Sequence, residues 1–136
     1  MTRQRVLILC TGNSARSQMA EGLLRHDAGD RFEVFSAGVN PCPIRHEGIA
    51  VLWELGIDIS RHRPKHVNEF AGQSFDYVLT VCDHAQEVCP VFPASTRIIH
   101  HAFVDPGNFP EEERLARFRK VRDQIREYLR TFPPER

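Results

Sequence analysis

Short apolar runs alternate with longer stretches of mixed polarity along this chain, and the alternation predicts a layered strand-and-helix fold. Residues 6–9 form a continuous apolar run with the length of a strand buried on both faces. Residues 32–38 and 75–81 read as a second and third strand, and residues 97–100 as a shorter fourth. Helical spacing fills the gaps. Ser14 is the expected N-cap of a helix over residues 15–24. A second helix is expected over residues 47–55, with Ile49, Leu52, Trp53 and Leu55 as its buried stripe and Gly56 as its stop. The last helix opens at Pro110-Glu111-Glu112-Glu113 and carries Leu115, Phe118, Val121, Ile125, Leu129 and Phe132 on one face until Pro133-Pro134. A single helical turn is expected at residues 67–70. Strands alternating with helices imply one α/β domain over residues 1–136, a four-stranded parallel sheet flanked by helices.

Ligands in such sheets bind beyond the carboxyl ends of the strands. Cys10, Cys82 and Asp105 each follow a predicted strand, so one end of the sheet can collect them. The first of these junctions carries the most chemistry. Gly12 and Asn13 are residue types that accept a left-handed backbone, so the chain can curl tightly between strand and helix. The amides of residues 11–16 then face Cys10 at a helix N-terminus, an arrangement that binds anions. Arg16 is one loop-length from Cys10, and its planar fork matches a tetrahedral oxyanion. Amides, helix dipole and guanidinium all favour negative charge, which predicts a Cys10 thiolate at neutral pH. The Ser17 hydroxyl is placed to add a hydrogen bond to that sulfur. A Cys and an Arg at this spacing are common by chance; the strand, the Gly/Asn/Ser loop and the helix around them are not.

Charge narrows the partners. Lys plus Arg and Asp plus Glu stand at 18 each, so nothing points to nucleic acid or to an acidic membrane surface. The basic cluster at residues 61–66 reads as a solvated loop, with a place at the rim of an anion site as the alternative. No stretch has membrane-span length, and a cytoplasmic monomer is expected. Four cysteines in that setting read as catalytic or redox-active rather than as a disulfide framework. Cys42, between two prolines in a loop, reads as incidental.

Cys82 and Cys89 form a second constellation, and three readings compete for it. A zinc site would want closer cysteine spacing, and His84, His100 and His101 supply no ligand pattern. Inert buried thiols are possible chemistry for any cysteine pair. A redox pair is the third. The segment between them is helix-compatible, and helical residues seven apart are roughly 10 Å apart along the axis. A disulfide needs Cα atoms within about 7 Å, so bridging them requires the segment to unwind.

The loop Cys10-Thr11-Gly12-Asn13-Ser14-Ala15-Arg16-Ser17-Gln18-Met19-Ala20-Glu21-Gly22 resembles the phosphate-binding loop of the low-molecular-weight protein tyrosine phosphatase superfamily. Within that superfamily it looks most like the thioredoxin-coupled arsenate reductases. Thr80-Val81-Cys82 and Cys89-Pro90-Val91-Phe92-Pro93 resemble their redox segment, and Ser36-Ala37-Gly38, Gly56-Ile57-Asp58-Ile59-Ser60 and Asp105-Pro106 extend the likeness over nearly the whole chain. The resemblance implies an arsenate reductase. Cys10 would be the nucleophile, with Thr11, Gly12, Asn13, Ser14, Ala15 and Arg16 binding the oxyanion and Asp105 acting as general acid. Cys82 and Cys89 would pass the disulfide to an external dithiol such as thioredoxin, with no bound metal or cofactor. The alternative on the same scaffold is a phosphotyrosine or aryl phosphatase using Cys10, Arg16 and Asp105; a non-catalytic oxyanion or redox sensor is a third class. Two departures stand out. Some relatives bind potassium through residues matching Asn13, Glu21 and Ser36, but Lys65 falls where they carry an acid. After Asp105-Pro106 the chain reads Gly107-Asn108-Phe109, without the tyrosine pair of the eukaryotic phosphatases.

Overall fold

The first apolar run becomes the spine of the sheet because nothing polar interrupts it. In the computed structural model, which describes residues 2–135, β1 (Gln4–Cys10) has Val6, Leu7, Ile8 and Leu9 wholly buried and Cys10 2 % exposed. Full burial of such side chains contributes roughly 1.5–3 kcal/mol each, which is why an uninterrupted run takes the central place. β2 (Phe32–Gly38) lies on one side of β1 and β3 (Tyr77–Thr80) on the other, with β4 (Arg97–His100) outermost beside β3. The order is β2-β1-β3-β4 and every pairing is parallel. This is the four-stranded parallel sheet that the sequence pattern predicts. The register sets Cys10 opposite Gly38 and Leu9 opposite Thr80, so the strand ends that bear chemistry lie side by side.

α1 (Arg16–Ala28), α2 (His46–Trp53) and α4 (Glu111–Leu129) pack against one another, and α1 also rests on β1 and β2. A five-residue helix, α3 (Asp83–Glu87), sits after β3. One helical turn of the tight, three-residue type falls at Val67–Phe70, as expected. Phe35, Phe70 and Phe75 meet edge to face, with the Arg5 guanidinium over two of the rings.

Several expectations are corrected. Ser14 is not the N-cap of α1: Ala15 holds that place without a side-chain bond, and the Ser14 carbonyl instead accepts the Arg45 N–H at 2.9 Å. The buried stripe of α2 is rotated by one residue. Gly48, Val51 and Leu52 face inward with Leu55 half-buried, while Trp53 is 65 % exposed. At Gly48 a Cβ would stand 3.7 Å from Met19 Cγ and Phe118 Cε2, an ordinary contact distance, so this face of α2 meets both side chains there. Gly56, at φ +79°, does turn the chain, and the Ile57 N–H closes back on the Leu52 carbonyl at 3.0 Å. On α4, Phe118, Val121, Ile125 and Leu129 are buried, but Leu115 lies near the exposed first turns. Buried Arg122 joins this face by donating to the Val51 carbonyl and to Glu54, both at 2.8 Å.

Candidate active site

The loop after β1 curls through Asn13, whose φ is +50°; Gly12 is not the left-handed residue there. Asn13 is fully buried and its side chain fixes the curl from inside. Its Oδ1 accepts the Lys65 N–H and the Gln18 amide, each at 2.9 Å. Its Nδ2 donates to Ser17 Oγ at 2.8 Å and to Ser36 Oγ at 2.9 Å. Close approach makes Gly38 obligatory: a Cβ there would stand 2.6 Å from the Thr11 carbonyl and 2.8 Å from the Asn13 nitrogen.

Cys10 Sγ faces into this loop. It lies 2.8 Å from Ser17 Oγ and accepts the Asn13 N–H at 3.2 Å. Ser17 already accepts from Asn13, so its own hydrogen is available to the sulfur. Burial nevertheless pushes the Cys10 thiol above its ordinary pKa, and the Ser17 hydroxyl and amide, the Arg16 charge and the Asn13 amide only partly pull it back. The expected resting thiolate is therefore corrected: removing the sulfur from water costs more than the loop returns.

A cavity of about 190 Å³ opens above the sulfur, lined by Cys10, Thr11, Gly12, Ser14, Ala15, Arg16, Cys42 and Asp105. Asn13 does not line it, so of the residues expected around an oxyanion this one holds the sulfur from behind. Arg16 is held over the loop by a 3.0 Å bond to the Phe103 carbonyl, with its other terminal nitrogen 3.7 Å from Asp105. Asp105 accepts the Gly107 N–H at 2.9 Å, which fixes its carboxylate at the cavity wall. No aromatic residue lines the cavity.

All four cysteines are free thiols. Cys82, 4 % exposed, caps α3 by accepting the Ala85 N–H at 3.4 Å, and its sulfur is 3.3 Å from Thr11 Oγ1. It therefore borders the Cys10 loop without lining the cavity. Cys89 lies beyond the far end of α3, half-buried, with its thiol pushed up by burial. A polar chain that the sequence did not announce ties α3 to the sheet: Thr80 Oγ1 is 2.7 Å from His100 Nδ1, and His100 Nε2 is 2.9 Å from Asp83 Oδ1.

The basic loop at residues 61–66 is not simply solvated, nor does it rim the cavity. Lys65 Nζ is 3.6 Å from Glu21 Oε1, which also accepts the Ser36 hydroxyl, and His62 Nδ1 is 3.0 Å from the Gln18 carbonyl oxygen. Burial would raise the Glu21 carboxyl, but Ser36, Lys65, Arg25 and His62 together hold it below its ordinary pKa. A potassium ion on Glu21 would face the Lys65 ammonium, so these residues do not fit one. Among the described residues, no group of three or more His, Cys, Asp or Glu is placed to hold a metal, and no helix is long and apolar enough to cross a membrane.

A cysteine and an arginine in a strand–loop–helix cradle at the end of a parallel sheet define an oxyanion-handling phosphatase scaffold. The family of low molecular weight phosphotyrosine protein phosphatases matches residues 5–135, and the chain belongs to it. A curated relative from Halalkalibacterium halodurans, named arsenate reductase, is 39 % identical over 134 residues, covering 97 % of this chain and 96 % of its own. The solved thioredoxin-dependent arsenate reductase of Corynebacterium glutamicum is 30 % identical with a TM-score of 0.72, covering 95 % of this chain and 61 % of that one. A low molecular weight protein tyrosine phosphatase from T. tengcongensis is 29 % identical with a TM-score of 0.79, covering 93 % and 95 %.

Proposed function

We propose that this enzyme reduces arsenate to arsenite. The observation that carries the reading is the second thiol at the loop, Cys82 Sγ at 3.3 Å from the Thr11 hydroxyl. A phosphatase needs the loop cysteine, an arginine and an acid, and has no use for Cys82. Curated relatives named arsenate reductase cover nearly the whole chain and support the same choice. The small cavity without an aromatic wall suits an inorganic oxyanion better than an aryl phosphate.

In this reading arsenate is held by the loop amides and the Arg16 fork. The buried Cys10 thiol passes its proton to the incoming dianion, so sulfur becomes charged only when the anion is present. The thiolate attacks arsenic, and Asp105 protonates the departing hydroxyl, which leaves as water. Cys82, as thiolate, attacks the Cys10 sulfur; the sulfur–arsenic bond breaks, its electron pair leaves with arsenic as arsenite, and a Cys10–Cys82 disulfide remains. Cys89 then attacks Cys82, freeing Cys10 and leaving a Cys82–Cys89 disulfide for an external dithiol. A solved relative described as thioredoxin-dependent supports thioredoxin in that role. Three thiols that must be reduced to work, Cys10, Cys82 and Cys89, suit the cytosol.

Disulfide mapping after arsenate treatment tests the scheme. Cys89→Ser should release one arsenite per enzyme and stop as a Cys10–Cys82 disulfide, whereas Cys82→Ser should stop earlier, at the Cys10–arsenic adduct. If no Cys82–Cys89 peptide forms in the native enzyme and both variants turn over with thioredoxin as it does, the relay is wrong and the phosphatase reading replaces it.

A further inference from the structure

Cys42 does not sit idle in its loop. Pro41 and Pro43 fix the backbone on either side of it. The loop is stitched to the nucleophile loop by three backbone bonds of 2.9 Å: Asn40 N–H to the Thr11 carbonyl, Cys42 N–H to Gly12, and Arg45 N–H to Ser14. The side chain packs on Gly12, where an added Cβ would stand 3.6 Å from both Cys42 Cβ and Sγ. Cys42 is thus an exposed thiol on the wall of the same 190 Å³ cavity that holds Cys10 and Arg16. Cys82 is excluded from that cavity, its sulfur engaged with Thr11 and Ala85.

We propose that Cys10 and Cys42 form a second dithiol, separate from Cys82 and Cys89, that chelates trivalent arsenic. Arsenite reaches a cavity of this size as neutral arsenous acid. It exchanges two of its three hydroxyls for the two sulfurs: each thiol proton leaves with a hydroxyl as water, two waters in all. Arsenic stays trivalent and no oxidant or reductant is consumed. Soft thiol ligands suit such a centre, and the second sulfur–arsenic bond closes within the molecule, so both bonds together hold far better than either alone. The third hydroxyl remains for the Arg16 fork. The idea rests on arsenate reduction only for the source of the ligand: arsenite leaves as the Cys10–Cys82 disulfide forms, and it can rebind between Cys10 and Cys42 once Cys89 has returned Cys10 to the thiol.

The test needs no turnover. The doubly substituted Cys82→Ser, Cys89→Ser protein keeps only Cys10 and Cys42. Reduced and titrated with sodium arsenite, it should take up one arsenic per chain by native mass spectrometry, and arsenite should protect Cys10 from iodoacetamide. Adding Cys42→Ser, or Cys42→Ala, should weaken uptake at least tenfold and abolish protection at arsenite concentrations that saturate the parent. In the otherwise native enzyme, Cys42→Ser should relieve inhibition of turnover by added arsenite. Unchanged affinity in the Cys42 variants overturns the proposal. So does absence of bound arsenic in a parent whose Cys10 still alkylates normally, which would show an intact pocket. Arsenite chelation by an enzyme that makes none from arsenate would instead reject the reduction and leave the dithiol standing.

Discussion

Cys10 shows how a buried nucleophile is balanced between two opposing effects. Because burial wins in the resting protein, the thiolate fraction at neutral pH is small and should grow about tenfold per pH unit until the raised pKa is passed. Iodoacetamide should therefore label Cys10 more slowly than free cysteine at pH 7, with a midpoint shifted to higher pH and protection by phosphate. A midpoint below that of free cysteine would mean that the loop overcomes burial after all. Arg16→Lys keeps the charge but loses both the fork and the Phe103 carbonyl bond at its fixed angle. Turnover should fall by about a hundredfold or more, with an unchanged circular dichroism spectrum. Lys65 supplies the positive charge beside Glu21 from within the chain. Replacing sodium by potassium in the assay should leave the rate unchanged.

At the level of elements, α3 is the piece built to be undone. Its five residues bury only Ala85, so little apolar surface holds it in place. Its first residue is tied through Asp83 and His100 to Thr80 on the sheet, while its far end carries Cys89. In the proposed relay, a bridge between Cys82 and Cys89 would draw the two ends of α3 together and unwind what lies between. His100→Ala should cut the tether without touching the cavity, so hydrogen exchange over residues 83–88 of the reduced protein should rise several-fold while β3 stays protected. Unchanged exchange would show that capping by Cys82 alone holds the helix. Sequence made β1 and β3 plain because each holds an apolar run with one possible environment. The α2 stripe is not legible in the pattern, because Ile49 and Trp53 are as apolar as Val51 and Leu52, and only the contact of Gly48 with Met19 and Phe118 shows which face turns inward. Tertiary fit decided a question that local hydrophobicity could not.

For the whole molecule, three helices on one side of the sheet must interlock, and Gly22 marks where α1 meets α2 most tightly. A Cβ there would stand 2.7 Å from Ile59 Cγ2 and 2.8 Å from Leu52 Cδ1. Gly22→Ala should cost about 1–3 kcal/mol in denaturant unfolding despite its better helix propensity. A gain in stability would show that the neighbours yield freely. That Cys10, Arg16 and Asp105 would meet in one cavity was legible in the sequence, because Cys10 and Asp105 follow strands and Arg16 closes the loop after Cys10. The place of Lys65 beside Glu21 came only through the resemblance, and that of His100 not at all, since their contacts lie 44 and 17 to 20 positions away and no local pattern encodes them.

The strand order also divides the chain in time. β1 and β2 are the first paired strands along the sequence, and the Lys65 N–H that Asn13 Oδ1 accepts also comes before β3. The residues that line the cavity, Asp105 excepted, precede in the chain both Cys82 and Cys89, which the proposed relay would use after Cys10. A nascent chain therefore carries every cavity residue but Asp105 before Cys82 has been made, with Cys42 as the one other thiol synthesised by then.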